Sequence, residues 1–190
     1  MSTSHAIPFT YEDYKSLTES SDQRYELIDG DLYMNPSPSV RHQLASIRLA
    51  TLLQQHVSAT GCGLVLDAPL DVVLGEGEKR SVVQPDIFFV SSERTGIVAK
   101  NEIVGAPDLI VEILSPGTAR RDLRLKKALY ARSGVREYWI VDVDREHIEL
   151  HRLVADEYSP PAIHAVGDRV VAAVVPGFEF LVADLFDGPF

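Results

Sequence analysis

The chain has 190 residues with a net charge of −10, and 45% of its residues are hydrophobic. This size and composition are typical of one folded domain, here residues 1–190, and argue against a disordered or fibrous protein. No apolar run is long enough for a membrane helix, and the N-terminus lacks the pattern of a signal peptide. The single cysteine, Cys62, excludes an intrachain disulfide. We therefore expect a cytoplasmic protein that does not bind membranes.

The acidic balance argues against a protein that coats nucleic acid through its overall positive charge. One segment differs from the rest: residues 120–127, RRDLRLKK, contain five basic residues and one acidic residue. Such a segment is typical either of a surface that binds an anion or of a solvated helix face, and charge alone does not separate these interpretations.

The first predicted elements are a helix, a hairpin and a second helix. Residues 10–20 form the first helix, with Thr10 as N-cap and Asp13 at the third helical position. Residues 24–34 form a hairpin that turns at Asp29-Gly30. A helix then covers about 40–57, and its two apolar stripes predict burial on both sides. The first stripe is Leu44, Ile47 and Thr51, and the second is Ala45, Leu49, Leu52 and Leu53.

The second half alternates strands with one more helix. Apolar runs predict strands at 64–66, 70–74, 86–90 and 108–114. A helix over about 119–133 ends at Gly134, two strands follow with a turn at Asp144-Arg145, and a last pair lies near 170–175 and 178–182. This order predicts an α/β fold with a mixed sheet flanked by helices and an additional peripheral β-hairpin layer.

Two carboxylates mark a candidate site. Glu112 interrupts the most apolar strand, where an unpaired carboxylate would cost several kcal/mol, so we expect a cation, a metal or a water-filled cleft beside it. Asp86 begins another strand after Pro85. Two carboxylates at neighbouring strand ends can share one divalent cation. The alternatives are that Asp86 is a turn residue and that Glu112 faces an arginine.

Helical geometry adds Lys126. On the helix over 119–133, Lys126 and Asp122 fall near the middle of the apolar face, whereas Arg120, Arg121, Arg124 and Lys127 point elsewhere. A lysine turned toward two carboxylates can orient a water or stabilise charge on a phosphate. The alternative is a helical ion pair between Asp122 and Lys126.

Three segments of this chain resemble a known family. They are VQPDIFFV, RYELIDGDLYMNPSPSVRHQLA and APDLIVEILSPGTARRDLRLKKALYARSGVREYWIVD. Together they resemble the Uma2 family of restriction-endonuclease-like proteins, a branch of the PD-(D/E)XK nuclease superfamily. The resemblance runs from Tyr25 to the C-terminal PGFEF, and the block from Pro107 to Asp142 is its most specific part.

The resemblance implies roles for individual residues. Pro85-Asp86 matches the first half of the superfamily pattern and Glu112 its acidic position, but Leu114 stands where the lysine is expected. The resemblance implies that the helix supplies the lysine as Lys126. It also implies that Glu26 is an extra metal ligand, or else a structural residue of the hairpin. Three further residues are expected to line the cleft: His42, Asp108 and Asp122.

The implied function is a Mg²⁺- or Mn²⁺-dependent endonuclease that hydrolyses DNA, with the metal held by Asp86 and Glu112 and assisted by Lys126. Arg120, Arg121, Arg124 and Lys127 would contact flanking phosphates. One alternative is a nuclease-fold binding module without turnover, which the displaced lysine and the net charge favour. Another is a metal-dependent enzyme acting on RNA or nucleotides. A homodimer is a further expectation, because cutting two strands favours two active sites.

Overall fold

Helices and strands are mixed along the chain in the computed structural model, which describes residues 7–21, 23–77, 80–114 and 119–187, without the side chains of residues 119–122. Within these ranges the α-helices are α1 (Tyr11–Glu19), α2 (Val40–Thr60), α3 (Ala119–Ser133) and α4 (Ala183–Phe186), and a 3₁₀ helix covers Ser92–Ile97. No helix in this part of the chain is long and apolar enough to span a membrane.

Most strands belong to two sheets. The strands are β1 (Tyr25–Ile28), β2 (Asp31–Met34), β3 (Gly63–Asp67), β4 (Asp71–Leu74), β5 (Ser81–Val83), β6 (Ile87–Ser91), β7 (Glu102–Val104), β8 (Leu109–Ile113), β9 (Glu137–Asp142), β10 (His147–Val154), β11 (Glu157–Tyr158), β12 (Ala162–Ala165), β13 (Arg169–Val171) and β14 (Glu179–Leu181). The smaller sheet has the order β2-β1-β5-β4-β7. The larger has the order β11-β10-β9-β8-β6-β3, with β12 also on β10, and β13 pairs with β14. The larger sheet is mixed because β8 and β9 are parallel while β6 and β8 are antiparallel. This confirms the predicted α/β class.

The larger sheet separates two hydrophobic cores. One face packs against α2 and the C-terminal segment, with Leu49 and Trp139 among the buried residues. The other face packs against α3 and the smaller sheet, through Ile110, Leu129 and Tyr138. A third cluster fixes α1 on the smaller sheet. Strand β8 lies between β6 and β9 and is buried along its whole length, as its continuous apolar run predicts.

Local signals in the sequence set the ends of several elements. Thr10 and Asp13 form a reciprocal capping box at the start of α1, and Ser39 caps α2 by accepting from the backbone N–H of His42. Asp29 and Gly30, the turn of the β1–β2 hairpin, both have positive φ. The predicted cap at Thr10 and the predicted turn at Asp29-Gly30 are confirmed, and Ser39 marks where α2 begins.

The prediction that α2 is buried on both sides is wrong. Ala45, Leu49 and Leu53 are buried, but the side chain of Ile47 on the other stripe is 64% exposed. The apolar pattern describes which side chains could be covered, and in this structure no described element covers the second stripe. That stripe instead borders a cavity.

Four short strands were not predicted: β5, β7, β11 and β12. Each has only two to four residues, which is too short for an alternating pattern to show. β7 and β11 lie at sheet edges and β12 adds to β10, whereas β5 is the central strand of the smaller sheet and leads directly to Gln84 at the site.

Gly134 ends α3 with φ of +86°, whereas Gly96 has no positive φ, and neither has an atom within 4 Å of an added Cβ. We expect Gly134→Ala to lower the free energy of unfolding by about 1–2 kcal/mol, because alanine is strained in the left-handed region. Gly96→Ala is the matched control and should change stability by less than about 0.5 kcal/mol. Chemical denaturation measures both, and equal effects would contradict the role given to Gly134.

Candidate active site

A cavity of about 1130 Å³ opens between α2, the β1–β2 hairpin, the end of β8 and α3. Its lining brings together five chemically active side chains from separate parts of the chain: Glu26, His42, Asp86, Glu112 and Lys126. The two sheets and α3 meet here, so the fold places residues of β1, β8 and α3 in direct contact.

Lys126 is the only cation in contact with the carboxylates of this group among the described residues, apart from His42. Its Nζ lies 3.0 Å from Oε1 of Glu112 and 2.9 Å from Oε1 of Glu26, and its side chain is 11% exposed. Burial alone would lower the pKa of Lys126, but the charges of Glu112 and Glu26 raise it above its ordinary range. Both carboxylates therefore stabilise the charged ammonium form of Lys126.

Glu112 is held through one oxygen. Its Oε1 accepts hydrogen bonds from Lys126 Nζ and, at 2.6 Å, from the hydroxyl of Tyr130. Burial raises the pKa of Glu112 to about 7, with further upward contributions from Asp86 and Glu26, while Lys126 opposes the shift. The site therefore holds more negative charge than its single lysine compensates.

Asp86 faces Glu112 across two neighbouring strands. The antiparallel register pairs Ile87 of β6 with Val111 of β8, so the next positions on each strand are Asp86 and Glu112. Oδ2 of Asp86 accepts the backbone N–H of Ile113 at 2.7 Å and lies 3.2 Å from Nε2 of His42.

His42 is buried in the first turn of α2, and its Nδ1 has no hydrogen-bond partner among the described residues. Burial alone would lower the pKa of His42, but the hydrogen bond to Asp86 and the charges of Asp86 and Glu112 raise it. The contact with Asp86 thus stabilises the protonated form of His42 relative to a free imidazole.

Glu26 joins the site to the smaller sheet. Its Oε1 accepts the backbone N–H of Gln84 at 2.8 Å in addition to Lys126. The side chain of Gln84 donates to Asp71, which also accepts from Tyr14 of α1. This network fixes the position of Glu26, because each of its members is tied to a different element of the fold.

The oxygens of the three carboxylates fit a hard divalent cation. Every contact given above for Glu26, Asp86 and Glu112 uses one oxygen, and the second oxygen of each has no partner among the described residues. No three His, Cys, Asp or Glu side chains in the described ranges converge as a complete metal cage. Mg²⁺ and Mn²⁺ do not need such a cage, because these ions keep several waters and are held by one or two carboxylates. Asp86 and Glu112 are the pair best placed to hold it.

Asp108 does not line the cavity, which corrects the prediction made for it. It lies at the start of β8, four residues or about 13 Å along the strand from Glu112. The fully buried Asp108 accepts from the backbone N–H of Ser91 and from the guanidinium groups of Arg94 and Arg136. It therefore anchors a loop at the opposite end of the strand.

The predicted phosphate-contacting residues lie outside the cavity lining where they are described. Arg124 is exposed on α3. Lys127 is partly exposed. The pKa of His151 on β10 is lowered mainly by burial and also by the charge of Lys127, so Lys127 lies on the side of α3 that faces β10. The side chains of Arg120, Arg121 and Asp122 lie outside the described residues.

Two residues at the site were not singled out from the sequence. Tyr130 lies four positions after Lys126, so the same helical face carries both, and this spacing could have identified it. Gln84 contributes its backbone N–H to Glu26, and no side-chain pattern signals such a contact.

The family model of Uma2, described as "Putative restriction endonuclease", matches residues 11–183, a range that contains all five residues of the site. The chain belongs to the Uma2 family. A Synechocystis protein, slr1290, described as uncharacterized, is 27% identical over 142 residues, which cover 74% of this chain and 72% of that protein. The predicted Uma2 relationship is thus confirmed.

A solved structure shows the same fold. The crystal structure of "a putative nuclease belonging to DUF820" from Anabaena variabilis matches this Uma2 protein with a TM-score of 0.79 at 20% sequence identity. The match covers 94% of this chain and 98% of that one. At this identity the likeness establishes the fold, and the chemistry must be argued from the residues themselves.

The raised pKa of Glu112 predicts a pH dependence of stability. Between about pH 4.5, the ordinary pKa of a glutamate, and about pH 7, the folded protein holds a proton that the unfolded chain releases, so stability falls as the pH rises. In EDTA, Glu112→Gln should remove this slope. Its free energy of unfolding should therefore rise relative to that of the wild type by roughly 2–3 kcal/mol between these pH values. Denaturation at several pH values measures the difference. Glu93→Gln, on the exposed 3₁₀ helix, is the control, and parallel pH profiles for wild type and Glu112→Gln would contradict the assignment.

The pair between His42 and Asp86 predicts a shift seen by NMR. In Asp86→Asn the pKa of His42 should fall, because the carboxylate that stabilises the imidazolium is gone and burial then acts unopposed by it. Titration of the imidazole C–H signals measures this, and the other histidines provide the internal reference. An unchanged pKa of His42 would show that the pair does not form in solution.

Proposed function

We propose that this Uma2 protein is a Mg²⁺- or Mn²⁺-dependent endonuclease that hydrolyses phosphodiester bonds in DNA. The observation that carries the proposal is the buried Lys126, which joins Glu112 and Glu26 in a cavity that also contains Asp86. A charged lysine beside carboxylates with accessible oxygens is the arrangement that phosphoryl transfer needs, namely a positive charge and metal ligands around one phosphate.

Asp86 and Glu112 would hold the metal ion, with Glu26 as a further carboxylate nearby. When bound, such an ion polarises the phosphate and lowers the pKa of a coordinated water. Asp86 and Glu112 keep their orientation because the backbone N–H of Ile113 and the hydroxyl of Tyr130 each fix one of their oxygens. The remaining oxygens can then face the cavity without rotation of either carboxylate.

Lys126 would stabilise the negative charge that develops on the phosphate. An ammonium has three N–H donors, and the contacts to Glu112 and Glu26 use two of them. The third is available to a phosphate oxygen or to the attacking water. Because its pKa is raised, the charge persists throughout the neutral pH range, so Lys126 does not need to gain a proton before each turnover.

The basic residues of α3 would extend phosphate binding beyond the cavity. Arg124 is exposed on the helix that carries Lys126, and Arg120, Arg121 and Lys127 belong to the same segment. We propose that they contact flanking phosphates, an interaction that weakens as the salt concentration rises. A homodimer would place two such sites on one duplex.

A binding module without turnover is the second candidate. The described part of the chain shows no complete group of three metal-ligating side chains, and Lys126 already forms ion pairs with two carboxylates. Both facts are compatible with a site that binds DNA without cleaving it. The two functions differ in one measurable property, which is cleavage in the presence of metal.

Cleavage of plasmid and oligonucleotide DNA in Mg²⁺ or Mn²⁺ tests the proposal. Glu112→Gln and Lys126→Met should each lower the cleavage rate by at least about a hundredfold, because the first removes an anionic metal ligand and the second removes the positive charge beside the reacting phosphate. Lys100→Met is the matched control on an exposed lysine and should cleave like the wild type. Thermal melting verifies that each variant is folded.

Two outcomes would reject the enzymatic function: no cleavage by the wild type, or equal cleavage by wild type and both site variants. Retained DNA binding without cleavage would favour the binding module. Glu112→Gln is the more informative variant, since glutamine keeps an acceptor for Tyr130 and Lys126, whereas Lys126→Met leaves two buried carboxylates unpaired.

A further inference from the structure

The face of the β1–β2 hairpin that lines the cavity continues beyond Glu26. Alternate residues Arg24, Glu26 and Ile28 line the cavity, whereas Tyr25 and Leu27 between them do not. Successive side chains along a strand point to opposite faces, so Arg24, which immediately precedes β1, lies on the same face as Glu26. The two positions are about 6.6 Å apart along the strand.

Asn35 lies opposite Arg24 in the hairpin. The register pairs Tyr25 with Met34, and the backbone N–H of Asn35 donates to the carbonyl of Arg24 at 2.9 Å, so the pairing continues for one more position. Directly opposite residues of an antiparallel pair carry their side chains on the same face. Asn35 also lines the cavity. Arg24 and Asn35 are therefore neighbouring positions on the face that carries Glu26.

The side chains of Arg24 and Asn35 are available to a ligand. Neither has a hydrogen-bond or ion-pair partner among the described residues, and Arg24 is exposed. Four described acids share the cavity lining with Arg24, and none of them pairs with it: Glu26, Asp67, Asp86 and Glu112. A guanidinium binds phosphate oxygens through two parallel N–H donors, and asparagine amides also donate to phosphates. The pair thus offers the donors that a phosphodiester group accepts.

The distance from the centre of the site is also short. Glu26, two residues after Arg24, contacts Nζ of Lys126 at 2.9 Å. A nucleic-acid strand with one phosphate at Lys126 would therefore bring a flanking phosphate within reach of the long side chain of Arg24. The described basic side chains of α3, Arg124 and Lys127, do not line the cavity, whereas Arg24 does.

From this juxtaposition we propose that Arg24 and Asn35 form a second phosphate subsite, which binds a phosphate flanking the one at Lys126 on the same strand. This rests on the proposed function and specifies how its substrate lies, with the strand running from Lys126 along the β1–β2 hairpin. Arg24 and Asn35 do not touch the reacting phosphate. They are positioning residues, because they hold the strand in place while the chemistry occurs at its neighbour.

Fluorescence anisotropy with a labelled DNA duplex at several salt concentrations tests this, in Ca²⁺ or EDTA so that cleavage does not interfere. Arg24→Gln should weaken binding by about fivefold or more and reduce the slope of log Kd against log salt concentration by roughly one. Arg24→Lys should keep the wild-type slope, because lysine retains the charge. The matched control is Arg145→Gln, since Arg145 has a 65% exposed side chain outside the cavity lining and should leave both quantities unchanged.

Cleavage in Mg²⁺ provides a second readout. Arg24→Gln should raise KM and leave kcat within about twofold of the wild type, because a contact to a flanking phosphate is the same in the ground state and in the transition state. Asn35→Ala should raise KM by about twofold without changing the salt slope of binding, since the amide is uncharged. Thermal melting verifies that each variant is folded.

Four results would overturn the proposal: equal salt slopes for the wild type and Arg24→Gln, equal losses in Arg24→Gln and Arg145→Gln, a loss confined to kcat, or no binding of DNA by the wild type. Cleavage by the wild type alongside any of them would leave the enzymatic function standing. A change of slope specific to Arg24→Gln without any cleavage would instead reject only the enzymatic function and support the subsite.

Discussion

The ion pairs of Lys126 with Glu112 and Glu26 connect α3 to both sheets and lie at the centre of the candidate site. A buried ammonium is costly without partners, and Lys126 of α3 has two, the carboxylates of Glu112 and Glu26. Glu26 belongs to the smaller sheet and Glu112 to the larger one. One lysine therefore ties the helix to both sheets, and the place where they meet is the cavity.

The same interaction leaves the site electrostatically unbalanced. Lys126 neutralises one carboxylate equivalent, while burial and the neighbouring acids raise the pKa of Glu112 to about 7. His42 lies next to Asp86, and its own raised pKa reflects this negative surrounding. The proposed divalent cation would bind next to these carboxylates, and its charge would reduce the repulsion between them.

The sequence predicted elements whose signals are local. The cap at Thr10, the turn at Asp29-Gly30 and the end of α3 at Gly134 each depend on a few neighbouring residues, and all appear in the structure. The inward direction of Lys126 followed from helical periodicity in the same way. The ion pair between Lys126 and Glu26 could not be predicted in this way, because it depends on how β1 of the smaller sheet packs against α3, which comes much later in the chain.

Two wrong predictions show what local sequence patterns do not determine. Asp108 follows a proline, as Asp86 does. However, Asp108 lies at the first end of β8, whereas the cavity lies at the last end, so the two acids are at opposite ends of the sheet. The second apolar stripe of α2 was predicted to be buried but is exposed. An apolar stripe has the same sequence pattern whether the protein or a ligand covers it. That ambiguity is physical, and helical periodicity alone does not resolve it.

The most direct test of the central claim is a crystal structure of this protein soaked with Mn²⁺, located by its anomalous signal. A shared metal site predicts one strong peak in the cavity, about 2.1 Å from carboxylate oxygens of both Asp86 and Glu112, with Lys126 still paired to Glu26. A well-ordered structure with no peak there, or with the ion held elsewhere, would contradict a shared metal site and leave these residues as a buried structural network.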